Sequence, residues 1–283
     1  MNPTDEAAAS RFNAKAAEAF ALFTRPTGRA KVGAGDRALI ERAEKGQLTL
    51  DGTDVATYRW GDGDRPVVLV HGWGSCAARL ANLATALHES GHSVLAFDLP
   101  GHGESGGELT TIVECRDIIR ELQGQYGSFS ALVGYSFGSL CSFFALREGV
   151  KAEALVGIAG VSRFDHLVSG FRDTLGLSAE LEVELRRRLE NDLFPGEPDI
   201  WERFASPYAP EQIDLEQILL IHDEGDEIAE VHQSRETAEA YGERAELVIT
   251  QGLGHHRIVA AKETVSQVVA FLQGLGGLAA STP

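Results

Sequence analysis

Basic residues are scarce in this chain: 25 Lys and Arg stand against 42 Asp and Glu, a formal charge of -17 over 283 residues. Such an excess repels phosphate backbones and anionic lipid surfaces, which argues against nucleic acid and membrane headgroups as partners. Cysteine is nearly missing. Cys76, Cys115 and Cys141 are an odd number with neither close pairing nor metal-ligand spacing. They suggest no disulfide framework and no zinc site, and are expected to be buried free thiols. No run approaches the roughly eighteen apolar residues of a membrane helix. The stretch Met1 to Phe20 lacks the uninterrupted apolar core of a signal peptide, so a reducing cytoplasm is the expected location. The sequence shows no internal repeat, no low-complexity tract and no ligand cluster that would call for a metal or cofactor.

What is present reads as an ordinary folded chain, 43% hydrophobic and 24% charged. Its length allows one core, or one core with a modest inserted lobe. Phe12, Ala16, Ala19, Phe20 and Phe23 fall at helical spacing and predict a first helix ending before Arg25-Pro26, packed on the body of the protein. Gln47 to Asp51 and Val55 to Trp60 flank Gly52 and predict an antiparallel strand pair. Short, continuous apolar runs then alternate with helical stretches: Pro66 to Val70, His92 to Asp98, Ser130 to Tyr135, Ala154 to Ala159, Ile218 to His222 and Ala245 to Thr250. Runs of this kind suit parallel strands covered on both faces by helices.

The expected organisation is a helical extension over 1–45, an α/β core over 46–160 and 218–274, a small helical cap over 161–217 and a flexible tail over 275–283. In the cap, Arg186-Arg187-Arg188 sits among Glu180, Glu182, Glu184 and Glu190, which favours intrahelical charge pairing over an anion site.

Three segments carry chemistry. Gly134-Tyr135-Ser136-Phe137-Gly138 lies between an apolar strand and a helix, the context in which a serine on a sharp turn becomes an exposed nucleophile. His71-Gly72-Trp73-Gly74 follows another strand, where the Trp73 amide, together with the Phe137 amide, can face an oxygen that gains charge in a tetrahedral transition state. His71 is expected to orient that loop. Asp223 and Asp226, near the end of the run Ile218 to His222, compete as the acid of a triad; Asp226 is favoured because it lies on the loop beyond the strand, while Asp223 is placed to anchor the turn. Gly252-Leu253-Gly254-His255-His256 supplies a base in a glycine-rich loop, with His255 preferred as the first side chain after the turn.

These segments, with Asp98-Leu99-Pro100-Gly101-His102-Gly103-Glu104-Ser105, resemble the α/β-hydrolase superfamily in its capped serine-esterase branch, over roughly Val55 to Leu272. The resemblance implies an α/β-hydrolase fold, a mostly parallel central sheet flanked by helices with a small helical cap inserted. It also implies the chain order Ser136 nucleophile, Asp226 acid and His255 base, an oxyanion hole from Trp73 and Phe137, and a structural His102. Branches of the family with Asp at the nucleophile position, the dehalogenases and epoxide hydrolases, are excluded by Ser136. The implied reaction is hydrolysis of a small-molecule carboxylic ester or thioester through an acyl-enzyme, without a cofactor. Amide or carbon-carbon bond hydrolysis, acyl transfer and non-catalytic ligand binding on the same fold stay open, because fold does not fix function. Trp73, Tyr135, Phe137 and Phe164 are the expected pocket residues, with Phe164 placed equally well in the core. The sequence leaves the oligomeric state open.

Overall fold

The computed structural model describes residues 3–26 and 28–279. Among these, eight strands form one sheet: β1 (Glu44–Leu50), β2 (Thr53–Trp60), β3 (Val67–Val70), β4 (Val94–Phe97), β5 (Phe129–Tyr135), β6 (Ala152–Ile158), β7 (Ile218–Asp223) and β8 (Ala245–Thr250). Across the sheet the order is β1-β2-β4-β3-β5-β6-β7-β8. The β1–β2 and β2–β4 pairs are antiparallel and every later pair is parallel. The chain runs from β3 out to β4, then crosses back to β5 on the other side of β3. Loops leaving the carboxyl ends of β3 and β5 therefore part company, and a crevice opens between them.

The apolar runs of β3 to β7 become strands because both of their faces are buried, while the edge strand β8 is only partly covered. All four residues of β3 are fully buried. Alternate residues point to opposite faces: Val68 and Val70 join one core cluster, Val67 and Leu69 the other. Each such side chain removed from water stabilises the fold by about 1.5–3 kcal/mol.

Eleven α-helices occur among the described residues: α1 (Pro3–Thr24), α2 (Ala34–Ile40), α3 (Ala81–Glu89), α4 (Ile112–Tyr126), α5 (Phe137–Arg147), α6 (Phe164–Leu175), α7 (Ala179–Arg188), α8 (Ile200–Arg203), α9 (His232–Tyr241), α10 (Gly254–Arg257) and α11 (Lys262–Ala279). Ile118 and Leu122 of α4 and Leu140 and Phe144 of α5 cover one face of the sheet. Leu83 and Leu87 of α3 and Val268 and Leu272 of α11 cover the other.

Between β6 and β7 the chain builds α6, α7 and α8. Ser178 caps α7 by accepting from the Leu181 amide, and Gly176 ends α6 in a left-handed conformation, φ 61°. The arginine triplet is spent on α7 itself and its neighbour. Arg186 pairs with Glu182 at 2.9 Å, Arg187 and Arg188 with Glu184 at 2.8 and 2.9 Å, and Arg186 also reaches Asp165 of α6. All three cysteines are buried and unpaired.

The C-terminus differs from the expected tail. Helix α11 continues to Ala279, five residues into the stretch 275–283; residues 280–283 lie outside the described residues. Leu275 packs against the core cluster on its side of the sheet, which offsets the helix cost of the nearby glycines.

Candidate active site

Ser136 sits at the bend between β5 and α5 with φ 54° and ψ -120°, a conformation that a side chain rarely adopts. Close packing around the bend keeps it there. The Ser136 amide donates to the Ile158 carbonyl of β6 at 2.9 Å, and its carbonyl accepts from the Ser139 amide at 3.0 Å. A Cβ on Gly134 would fall 2.5 Å from the Ser139 Cα, and one on Gly138 would fall 2.7 Å from the His71 carbonyl. A Cβ on Gly72 would meet the Ser136 Cβ itself at 2.9 Å. The glycines therefore let α5, β3 and the bend approach to backbone contact.

The loop after β3 reaches this bend because Val70 pairs with Gly134. Two buried histidines hold it. His71 Nδ1 donates to the Gly72 carbonyl at 2.8 Å, and its Nε2 accepts from the Leu99 amide at 2.9 Å. His102 Nδ1 donates to the Pro100 carbonyl at 2.9 Å, and its Nε2 accepts from the Gly74 amide at 3.0 Å. Both rings must be neutral to accept in this way. Burial pushes the His71 imidazole down to about 4, partly offset by the Asp98 carboxylate, and burial lowers His102 as well. Trp73 thus lies between two fastened residues. Among the described residues neither its backbone amide nor that of Phe137 has a protein acceptor. The two rings meet edge to face, 6.0 Å between centroids.

The parallel ends of β7 and β8 bring the remaining groups together. His255 accepts the Ser136 hydroxyl at Nε2, 3.0 Å, and its Nδ1 donates to Asp226 Oδ2 at 2.7 Å. Ser136, Asp226 and His255 are all buried. Asp226 Oδ1 accepts the Ile228 and Ala229 amides, both at 2.9 Å. Burial alone would raise this carboxyl, but hydrogen bonds from His222, His255 and the Ala229 amide hold it well below the usual carboxylate range. Asp223 has another role. It accepts from Gly225 at 3.0 Å and from the Leu253 amide and the Thr250 hydroxyl at 2.9 Å each, so it ties the β7 turn to the His255 loop.

His256 points away from Ser136. It approaches Tyr135, whose hydroxyl lies 3.5 Å from its Nδ1 and donates to the His255 carbonyl at 3.1 Å. Burial, and next the Asp226 charge, push the Tyr135 phenol up to about 12, so it remains a donor. Phe164 holds both of its expected places: it is buried against Phe23, Phe194, Trp201 and Phe204, and it also lines the cavity in front of Ser136.

That cavity has a volume of about 1030 Å³, and Trp73, Tyr135, Ser136, Phe137 and His255 all contribute to its wall. No group of three or more His, Cys, Asp or Glu among the described residues is arranged to hold a metal ion, and no described helix is long and apolar enough to cross a membrane.

Three residues at the site escaped the sequence reading. His222 is fully buried at the end of β7. Its Nδ1 accepts from the Ser234 hydroxyl, and its Nε2 donates to the Ala229 carbonyl, both at 2.6 Å, with Asp226 Oδ2 3.3 Å away. The signal for it was a lone polar ring closing an apolar run, next to the acids. Leu22 and Phe23 of α1 also line the cavity; the aromatic end of the first helix was their trace in the sequence.

The chain is similar to several known proteins. A pimeloyl-[acyl-carrier protein] methyl ester esterase from Klebsiella pneumoniae is 29% identical over 140 residues, 49% of this chain and 52% of that protein. The dihydrolipoyllysine-residue acetyltransferase component of an acetoin cleaving system from Cupriavidus necator is 28% identical over 149 residues, 50% of this chain and 38% of that one. The chain therefore spans about half the length, or less, of these curated relatives. Among solved structures, alpha/beta hydrolase domain-containing protein 10 from mouse aligns with a TM-score of 0.64 at 22% identity, covering 82% of this chain and 98% of that one. A Pyrococcus furiosus esterase aligns equally well, TM-score 0.64 at 22% identity, over 88% of this chain and 97% of that one. Similarity at this level carries the fold alone. The family itself is carried by the sequence, since a model of the alpha/beta hydrolase family matches residues 67–268. The chain belongs to the alpha/beta hydrolase family.

Proposed function

We propose that this protein is a serine hydrolase that cleaves a carboxylic ester or thioester through an acyl-enzyme on Ser136. The observation that carries the reading is the continuous line of hydrogen bonds from Ser136 Oγ through His255 to Asp226, 3.0 and 2.7 Å, at the wall of a large cavity. His255 Nε2 takes the hydroxyl proton as Oγ attacks the carbonyl carbon, and Asp226 holds the ring in the tautomer that leaves Nε2 free to accept it. The oxygen of the tetrahedral intermediate is stabilised by the Trp73 and Phe137 amides, which among the described residues have no protein acceptor to give up. His255 then returns the proton to the leaving alcohol or thiol. A water molecule, deprotonated by the same nitrogen, releases the acid and restores Ser136.

The segment 161–217 acts in this scheme as a cap over the cavity, which it lines with Phe164, Leu167 and Phe171. The relatives named above, a methyl ester esterase and an acetyltransferase component, both concern acyl chemistry and support the substrate class. A fluorophosphonate probe should label the native protein and leave Ser136→Ala unlabelled. A panel of p-nitrophenyl esters and acyl thioesters should lose turnover by about 10⁴-fold or more in that variant. A folded Ser136→Ala protein that keeps more than a tenth of the activity would overturn the reading.

A further inference from the structure

We infer that the N-terminal helix is a wall of the substrate cavity, and that Phe23 at its end selects for an apolar acyl group long enough to reach it. The inference rests on the ester hydrolase reading for the reaction, though not for the shape of the cavity.

The sequence of α1 explains how a helix outside the family's matched region, residues 67–268, comes to lie there. Its inward face carries Ala16 and Ala19, both buried, and small side chains allow the helix to lie close on α7. One turn later the small residues give way to Phe20 and Phe23. Phe23 meets Phe164 and Phe171 of α6 edge to face, with centroids 5.9 and 5.2 Å apart. The helix is thus joined through its aromatic end to the same inserted segment that faces Ser136.

The chain beyond α1 is fastened as well. The Arg29 guanidinium donates to the Gly103 and Ser105 carbonyls, on the loop that follows β4. That loop is itself anchored: Asp98 accepts the Ala77 amide at 2.7 Å and the Glu104 amide at 2.8 Å. Held at and just beyond its C-terminal end, α1 presents Leu22, Phe23 and Thr24 to the cavity.

The chemistry of this wall names its ligand. Leu22, Phe23, Phe164, Leu167, Phe171 and Phe194 form an apolar patch in a lining that also includes polar residues such as His166 and Asp173. A volume of about 1030 Å³ stands at the upper end of the range for pockets that bury a drug-sized molecule, and far exceeds what an acetyl ester fills. A substrate with an apolar acyl chain of medium length satisfies both facts. Its carbonyl would sit at Ser136 and its chain would run toward α1.

The test compares wild type, Phe23→Ala, Phe23→Trp and the outward-facing control Lys15→Ala on acetyl, butyryl, octanoyl and dodecanoyl p-nitrophenyl esters. We expect the octanoyl-to-acetyl ratio of kcat/KM to fall by about tenfold or more in Phe23→Ala, the preferred length to shorten in Phe23→Trp, and the ratio to stay put in Lys15→Ala. A second arm does not depend on turnover. Octanoate binding to Ser136→Ala, followed by calorimetry, should weaken by about tenfold when Phe23→Ala is added. If no ester is cleaved but octanoate binding still depends on Phe23, the reaction reading fails and the wall stands. If both Phe23 variants are folded by circular dichroism and leave the length ranking within about twofold, or if octanoate binds neither protein, the wall is overturned.

Discussion

Acidification should weaken this fold well above the pH at which its carboxylates are protonated, and His71 is the main reason. Its ring is fully buried and uses both nitrogens, Nδ1 as donor and Nε2 as acceptor. A proton on Nε2 would face the Leu99 N–H and have no acceptor. The unfolded chain binds that proton near pH 6.5, whereas the folded chain binds it only near pH 4. Between those values the unfolded state holds more protons. The His71 contribution is therefore complete above pH 6.5 and is lost as the pH falls toward 4.

At about 1.4 kcal/mol per pH unit, the gap is worth roughly 3 kcal/mol, a large share of the 5–15 kcal/mol that typically separates folded from unfolded chains. His102 and half-buried His92, both lowered by burial, act in the same direction. Glu114, raised by burial, acts in the opposite one. Asp226, held low, begins to lose its contribution only below its ordinary value of 3.8 and so belongs to a more acidic window. Urea unfolding at steps between about pH 7.5 and about pH 4.5 reads the slope directly, and His71→Asn should flatten it by close to one proton. A wild-type stability constant to within about 0.5 kcal/mol over that range, or an unchanged slope in folded His71→Asn, would refute the reasoning.

Two further pairs of substitutions separate neighbours that look alike. Asp226→Asn should lower kcat by about 10³-fold or more by upsetting the His255 tautomer, while Asp223→Asn should lower the unfolding midpoint and cost far less in turnover; steady-state kinetics beside thermal unfolding decides, and equal kinetic losses would contradict the division of labour. His255→Ala should cost several orders of magnitude in turnover and His256→Ala about tenfold or less, because only the former reaches Ser136; a severe loss in His256→Ala alone would reverse their roles.

The sheet was legible because its signal is local and strong. Six apolar runs became β3 to β8 with ends displaced by two residues at most, and for β3 to β7 the reason is that a strand buried on both faces has no choice of composition. The bend at Ser136 was legible for a steric reason: Gly134 and Gly138 are the residues that backbone contact demands. Asp223 and Asp226 were harder to separate. Three residues apart, they differ only in which loop amides and side chains they meet, and those meetings depend on where β8 ends. His222 and Phe23 were out of reach for a related reason. His222 meets Asp226 only four residues on, but the meeting depends on how the turn after β7 folds back, and Phe23 meets Phe171 through tertiary packing that nothing in the adjacent sequence encodes. The end of α11 at Ala279 was not legible, because the packing of Leu275 appears only in three dimensions.

The four donors around Asp226 have a consequence for the direction of proton flow. Two amides occupy Oδ1, while His255, with His222 close behind, occupies Oδ2, so a proton arriving there would have to expel a donor already seated. The carboxylate behaves as a closed terminus. In the proposed reaction a proton leaving Ser136 would travel one station, to the imidazole, and its easiest exit would be back across the same nitrogen toward the departing group.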